Sequence, residues 1–103
     1  MKLLLTPLAK KDLQGIKKYI ANELSSPSLS VKVIEQIMER LRLLTDFPAR
    51  GMPVSSFVDV VTDYRLLGCG NYTAFYRYDE DTVYIIRILY SHRDFAKILF
   101  GTS

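Results

Sequence analysis

A chain of 103 residues has the length of one domain, with room for a single hydrophobic core. Its apolar share of 49% is that of a globular protein and excludes disorder. Fourteen basic against eleven acidic residues leave a net charge of +3, which favours an anionic partner but falls well short of a DNA-coating protein.

Lys2 to Leu5 is short and apolar and reads as a strand. The apolar run in it is too brief for a signal-peptide core or a membrane span, so a cytoplasmic protein with no membrane partner is expected. Thr6-Pro7 then opens a helix: threonine caps free N–H groups, and proline suits a first turn that needs no donor. Ala9, Leu13, Ile16, Ile20 and Leu24 recur at helical spacing and should share one apolar face, opposite Lys10, Lys11, Gln14, Lys17 and Lys18. Ser25-Ser26-Pro27 breaks this pattern and opens a second helix, whose stripe is Val33, Ile34, Ile37, Leu41 and Leu44. Leu43 lies off that stripe. Pro48 and Arg50-Gly51-Met52-Pro53 end the helix, so the two helices form an antiparallel hairpin.

Residues 46 to 62 lack a steady period and read as a loop, with a short strand expected at Phe57 to Val61. Beyond Asp63 the pattern is that of strands. Tyr64 to Leu67, Tyr72 to Tyr78 and Thr82 to Tyr90 are rich in aromatic and β-branched residues. Gly68-Cys69-Gly70-Asn71 and Asp79-Glu80-Asp81 are the turns between them. If Asp79 pairs with Thr82, alternation sets Phe75, Ile86 and Ile88 against the helices. Tyr76, Ile85, Arg87 and Leu89 then form an outer, amphipathic face. The expected fold is α+β: an N-terminal strand and helical hairpin packed on a C-terminal antiparallel sheet, closed by a short helical turn. Residues 1–103 are expected to make one domain.

Chemistry can come from few residues. Cys69 is the only cysteine and His92 the only histidine, which excludes a disulfide framework and a His-pair zinc site, so neither metal nor cofactor is expected. Arg65, Arg77, Arg87 and Arg93 sit in or beside the strands, with Lys97 on the last helical turn. Guanidinium forks bind carboxylates and phosphates bidentately, so a cluster on one surface would make an anion site; singly, they would be ordinary ion pairs. His92 follows the last long strand and can serve as a general acid or base, its unperturbed pKa of about 6.5 lying near neutrality. Asp94 can pair with Arg93 or cap the final turn. Cys69, between glycines and without a catalytic partner nearby in sequence, reads as a small buried or half-buried thiol. The seven tyrosines can stack on RNA bases, although tyrosine is also a common strand residue.

Across nearly its whole length the chain resembles the RelE/ParE superfamily of toxins from type II toxin–antitoxin modules, the plasmid stabilisation family. The likeness begins with Ala9, Asp12-Leu13, Ile16 and Tyr19-Ile20. It runs on through Pro48 and Gly51 to Arg65, Tyr72, Phe75-Tyr76-Arg77, Val83, Ile85-Ile86-Arg87-Ile88-Leu89 and His92-Arg93-Asp94. The resemblance implies a bacterial growth inhibitor neutralised, in a hetero-oligomer, by an antitoxin whose acidic C-terminal segment wraps it. Arg65, Arg77, Arg87, Arg93, Tyr76 and Lys97 would hold the target or the antitoxin. It also implies one of two targets. RelE-like toxins cut messenger RNA in the ribosome, for which His92 and Arg93 would be the catalytic pair. This chain, however, has Thr73 where a basic residue is usual, and Leu99 and Phe100 where a tyrosine is usual. ParE-like toxins bind DNA gyrase without such a set and carry a long helical hairpin, as residues 7 to 45 are expected to form. The ParE-like reading is favoured, the metal-independent ribonuclease being the alternative.

Overall fold

In the computed structural model, which describes residues 1–101, the elements follow one another as β1 (Lys2–Leu5), α1 (Pro7–Asn22), α2 (Pro27–Leu43), β2 (Met52–Pro53), β3 (Arg65–Cys69), β4 (Tyr72–Tyr78), β5 (Thr82–Tyr90) and α3 (Phe95–Phe100). The α+β expectation holds. The five strands lie in the order β1-β5-β4-β3-β2, antiparallel except that β1 runs parallel to β5.

Local chemistry sets both helix starts. Thr6 Oγ accepts the N–H of Ala9 at 3.1 Å, while the same hydroxyl donates to the Ile86 carbonyl at 2.9 Å, tying the cap of α1 to β5. Ser26 caps α2 by accepting the N–H of Leu29 at 3.3 Å. The stripes predicted for α1 and α2 are the buried ones: Ala9, Ile16 and Ile20 from α1 meet Ile37 and Leu41 from α2 and Leu44 at its C-terminal cap, over Leu67, Ala74, Tyr76, Val83, Ile85 and Ile88 of the sheet. Leu24 departs from expectation, because α1 ends at Asn22 and the leucine is left exposed in the turn between helices.

Two further expectations are corrected. No strand forms at Phe57–Val61. The Val54 N–H bonds the Tyr64 carbonyl at 2.9 Å and Val54 is fully buried, so the chain between them loops away and cannot lie along β3; Met52–Pro53 takes that edge instead. The assignment of sheet faces is overturned for Phe75, Tyr76 and Ile85, while Ile88 and Leu89 lie on the faces expected of them. Asp79 and Thr82 do close the hairpin, but Phe75 pairs with Arg87 and Tyr76 with Ile85, so Ile86 is an extra residue in β5. Such a bulge shifts the alternation by one residue. Tyr76 and Ile85 therefore point into the core beneath the helices, and Phe75 points to the opposite face.

That opposite face is not bare. Phe75, Leu89 and Val54 form a second cluster, covered by Phe95, Ile98, Leu99 and Phe100 of α3 and by Tyr64. The rings of Phe75 and Phe95 lie 5.1 Å apart. Asp94 caps α3 by accepting the Lys97 N–H at 3.3 Å, and Gly101 ends it at φ +69°, a left-handed conformation natural to glycine.

Candidate functional site

Three of the sheet arginines are each tied to a different part of the protein. Arg87 forks onto Asp12 of α1, its Nε at 2.8 Å and Nη2 at 2.9 Å from the two carboxylate oxygens. Asp12 also accepts the N–H of Ile88 at 2.9 Å. Arg77 meets Asp63 at 3.0 Å on an exposed surface, with its guanidinium 5.8 Å from the centre of the Tyr84 ring. In both arginines the hydrogen bond to the carboxylate is the main influence holding the pKa above its ordinary value. Arg65 donates to the carbonyls of Ala49 and Gly51, at 3.2 and 2.6 Å.

Tyr76, the cross-strand partner of Arg65, is fully buried. Its hydroxyl donates to the Pro48 carbonyl at 2.6 Å and accepts the Gly51 N–H at 2.9 Å. Burial is the main cause of its raised pKa. Arg65 and Tyr76 thus hold the turn after α2 from two sides. A Cβ on Gly51 would stand 2.6 Å from the Leu66 carbonyl and 2.7 Å from the Tyr76 ring, so only glycine fits this contact.

The structure therefore does not gather Arg65, Arg77 and Arg87 into one outward anion site. Arg93 and Lys97 are exposed, and so is His92, whose ring lies 5.2 Å from that of Tyr90. Arg93 borders two hollows. One, of about 590 Å³, separates α1 from the outer edge of β5 and is lined also by Lys11, Gly15, Tyr19, Tyr72 and Tyr90. The other, of about 190 Å³, contains Phe57, Thr73, Phe75, Ser91 and Phe95. The Thr73 and Ser91 hydroxyls share a hydrogen bond of 2.9 Å. Cys69 is buried, and desolvation pushes its thiol up to about 11, which makes it a poor nucleophile.

Residues that the sequence reading gave no individual role now carry structure. Asp12 joins α1 to β5, and Tyr19, Tyr72 and Tyr90 form an aromatic rim. Asp12 had a visible signal: three residues after Ala9 and four before Ile16, an acid on the apolar stripe needs a buried partner. Among the described residues no cluster of His, Cys, Asp and Glu is placed to hold a metal ion, and no helix is long and apolar enough to cross a membrane.

Comparison with solved structures places this geometry. The chromosomal ParDE system of P. aeruginosa contains a chain that superposes with a TM-score of 0.73 at 25% identity, covering 87% of this chain and 95% of that one. The RelBE2 toxin–antitoxin complex of Mycobacterium tuberculosis gives 0.59 at 23% identity, over 86% and 95% of the two chains. The YoeB/ParE toxin from Agrobacterium tumefaciens gives 0.61 at 16%, over 89% and 100%. These last two share the fold. No curated protein matches significantly. Residues 3–95 match the family described as the ParE toxin of the type II toxin–antitoxin system parDE. With nearly its whole length covered, the chain belongs to the ParE toxin family.

Proposed function

We propose that this toxin inhibits growth by binding DNA gyrase in the cytoplasm, without chemistry of its own, and that a cognate antitoxin with an acidic C-terminal segment neutralises it in a hetero-oligomer. One observation carries the non-enzymatic reading: Arg65, Arg77 and Arg87 spend their guanidinium groups on Ala49 and Gly51, Asp63 and Asp12. Cleavage of RNA by its own 2′-hydroxyl needs a base, a leaving-group acid and cations around the phosphorane. Arg93 and His92 alone do not make up that set. Family membership and the long α1–α2 hairpin support the same choice.

The test is supercoiling of relaxed plasmid by purified gyrase. Loss of supercoiling as toxin is added is expected, and undiminished supercoiling at large molar excess would overturn the proposal.

A ribosome-dependent ribonuclease remains the second reading, favoured by one feature: His92 and Arg93 are adjacent and exposed beside the Thr73–Ser91 hydroxyl pair. It requires codon-register cuts in messages after induction, lost on Arg93→Ala.

A further inference from the structure

The two long helices carry their surface charge differently. On α2, Lys32 stands three residues before Glu35, and Glu39 three before Arg42, so opposite signs are interleaved along the helix. On α1 the exposed Lys10, Lys11, Lys17 and Lys18 have no acid three or four residues away in either direction. Pairs at that spacing are what ordinarily supports a charged helix surface. The carboxylate nearest in sequence, Asp12, is half-buried and gripped by Arg87. Among the described residues the ion pairs are Arg77–Asp63 and Arg87–Asp12, so all four lysines stand free of carboxylates.

The imbalance is large for this chain. It has fourteen basic and eleven acidic residues, and without these four lysines the ten basic residues left would be outnumbered. The net positive charge therefore resides on one face of one helix. Lys10 and Lys17, like Lys11 and Lys18, are two helical turns apart, so two rows of ammonium groups repeat about every 10.5 Å along the axis.

The make-up of this face narrows its partner. No aromatic residue lies between Lys10 and Lys18 on which an unpaired base could stack. The apolar stripe of α1 is taken up by the core, so no second apolar face is left to lie in a bilayer. Protein interfaces are built around an apolar centre, whereas the exposed Gln14 occupies the centre of this patch. What fits is a rigid row of phosphates. Lysine meets phosphate as a point charge on a flexible stem, a contact that positions a protein on a duplex without reading sequence. We infer that the outer face of α1 docks on the phosphate backbone of duplex DNA, whatever its sequence. The choice of DNA over RNA duplexes rests on the gyrase reading, and it means that the toxin engages gyrase and its DNA together.

The experiment follows the fluorescence anisotropy of a short labelled DNA duplex of arbitrary sequence, titrated with full-length toxin at several salt concentrations. Each phosphate contact contributes about −0.9 to the slope of log affinity against log salt, so the parent should show a slope of about −3 to −4. The double variant Lys11→Gln with Lys18→Gln keeps good helix formers and should melt as the parent does, with roughly half that slope and binding about tenfold weaker. Lys32→Gln with Arg50→Gln removes the same charge from exposed positions elsewhere and should bind as the parent does. An unchanged slope in the α1 variant, or an equal loss in both double variants, would overturn the inference and leave the gyrase reading to its own supercoiling test. Tighter binding to a duplex RNA of the same sequence, or to anionic lipid vesicles, would overturn it in favour of that other occupant. The expected DNA binding together with undiminished supercoiling would uphold the lysine face and remove gyrase as the target.

Discussion

Arg87 in β5 and Asp12 in α1, separated by 75 positions in sequence, form a two-pronged ion pair whose carboxylate also takes the N–H of Ile88. Their side chains keep only 21% and 13% of their exposure, so water screens the pair weakly. Removing one partner leaves a desolvated charge and an unpaired amide, which costs more than the pair itself contributes. Asp12→Ala should therefore lower unfolding stability by about 2–4 kcal/mol. Asp63→Ala breaks a pair whose side chains are 42% and 62% exposed and should cost under about 0.5 kcal/mol. Urea unfolding of both variants measures the contrast, and equal midpoints would refute it.

The turn after α2 depends on Tyr76 in another way. Tyr76→Phe removes the hydroxyl that serves both Pro48 and Gly51 and should cost about 1–3 kcal/mol by leaving the buried Gly51 N–H and the half-buried Pro48 carbonyl unsatisfied. Gly51→Ala forces a methyl against the same ring and should cost at least as much. Hydrogen exchange gives the local readout: amides of residues 48–58 should lose protection in both variants, while those of α1 keep theirs. Uniform loss across the chain would mean that the turn is not a separate unit.

How far the sequence carries depends on where period alone decides. The helix stripes short of Leu24, the Thr6 cap and the ends of β4 and β5 follow from spacing and capping chemistry, and each appears as expected. At Ile86 that logic fails, because one bulged residue breaks the alternation between Ile85 and Ile88 and no local composition marks it. Phe75 and Tyr76 exchange faces as a result, and an expected outer surface becomes two cores. The arginines show the same limit. Their type is readable, but whether a guanidinium faces outward or grips Asp12, Asp63 or a carbonyl depends on contacts up to 75 residues away.

Cys69 gives a pH dependence of definite sign. Burial raises its pKa from 9.0 to about 11, so the folded protein retains a proton that the unfolded chain releases. Stability tied to this thiol is complete below pH 9 and falls as pH climbs from 9 towards 11. Tyr72 and Tyr76, also raised by burial, act in the same sense at higher pH. Cys69→Ala should therefore show a shallower decline between pH 9 and 10 than the parent. At pH 8 the native thiol should react with a disulfide reagent more slowly than in the unfolded chain by roughly tenfold or more, the scarcer thiolate being partly offset by its greater nucleophilicity. Reaction at the unfolded rate would show that the thiol is open to solvent.

His92 separates the two functional readings most cleanly, because its exposed ring, resting beside Tyr90, can be removed at little cost to the fold. A proton-transfer residue contributes a factor of about 10² to 10⁴ in rate, so a ribonuclease lacking it would lose its effect on growth. A toxin that acts by binding has no proton to move at this position. Induction of His92→Ala in bacteria should therefore arrest growth as the parent does, with unchanged message ends in primer extension and the same loss of supercoiling in vitro. Restored plating efficiency, with the variant present at parental abundance, would transfer the activity to the His92–Arg93 pair and make the toxin an enzyme.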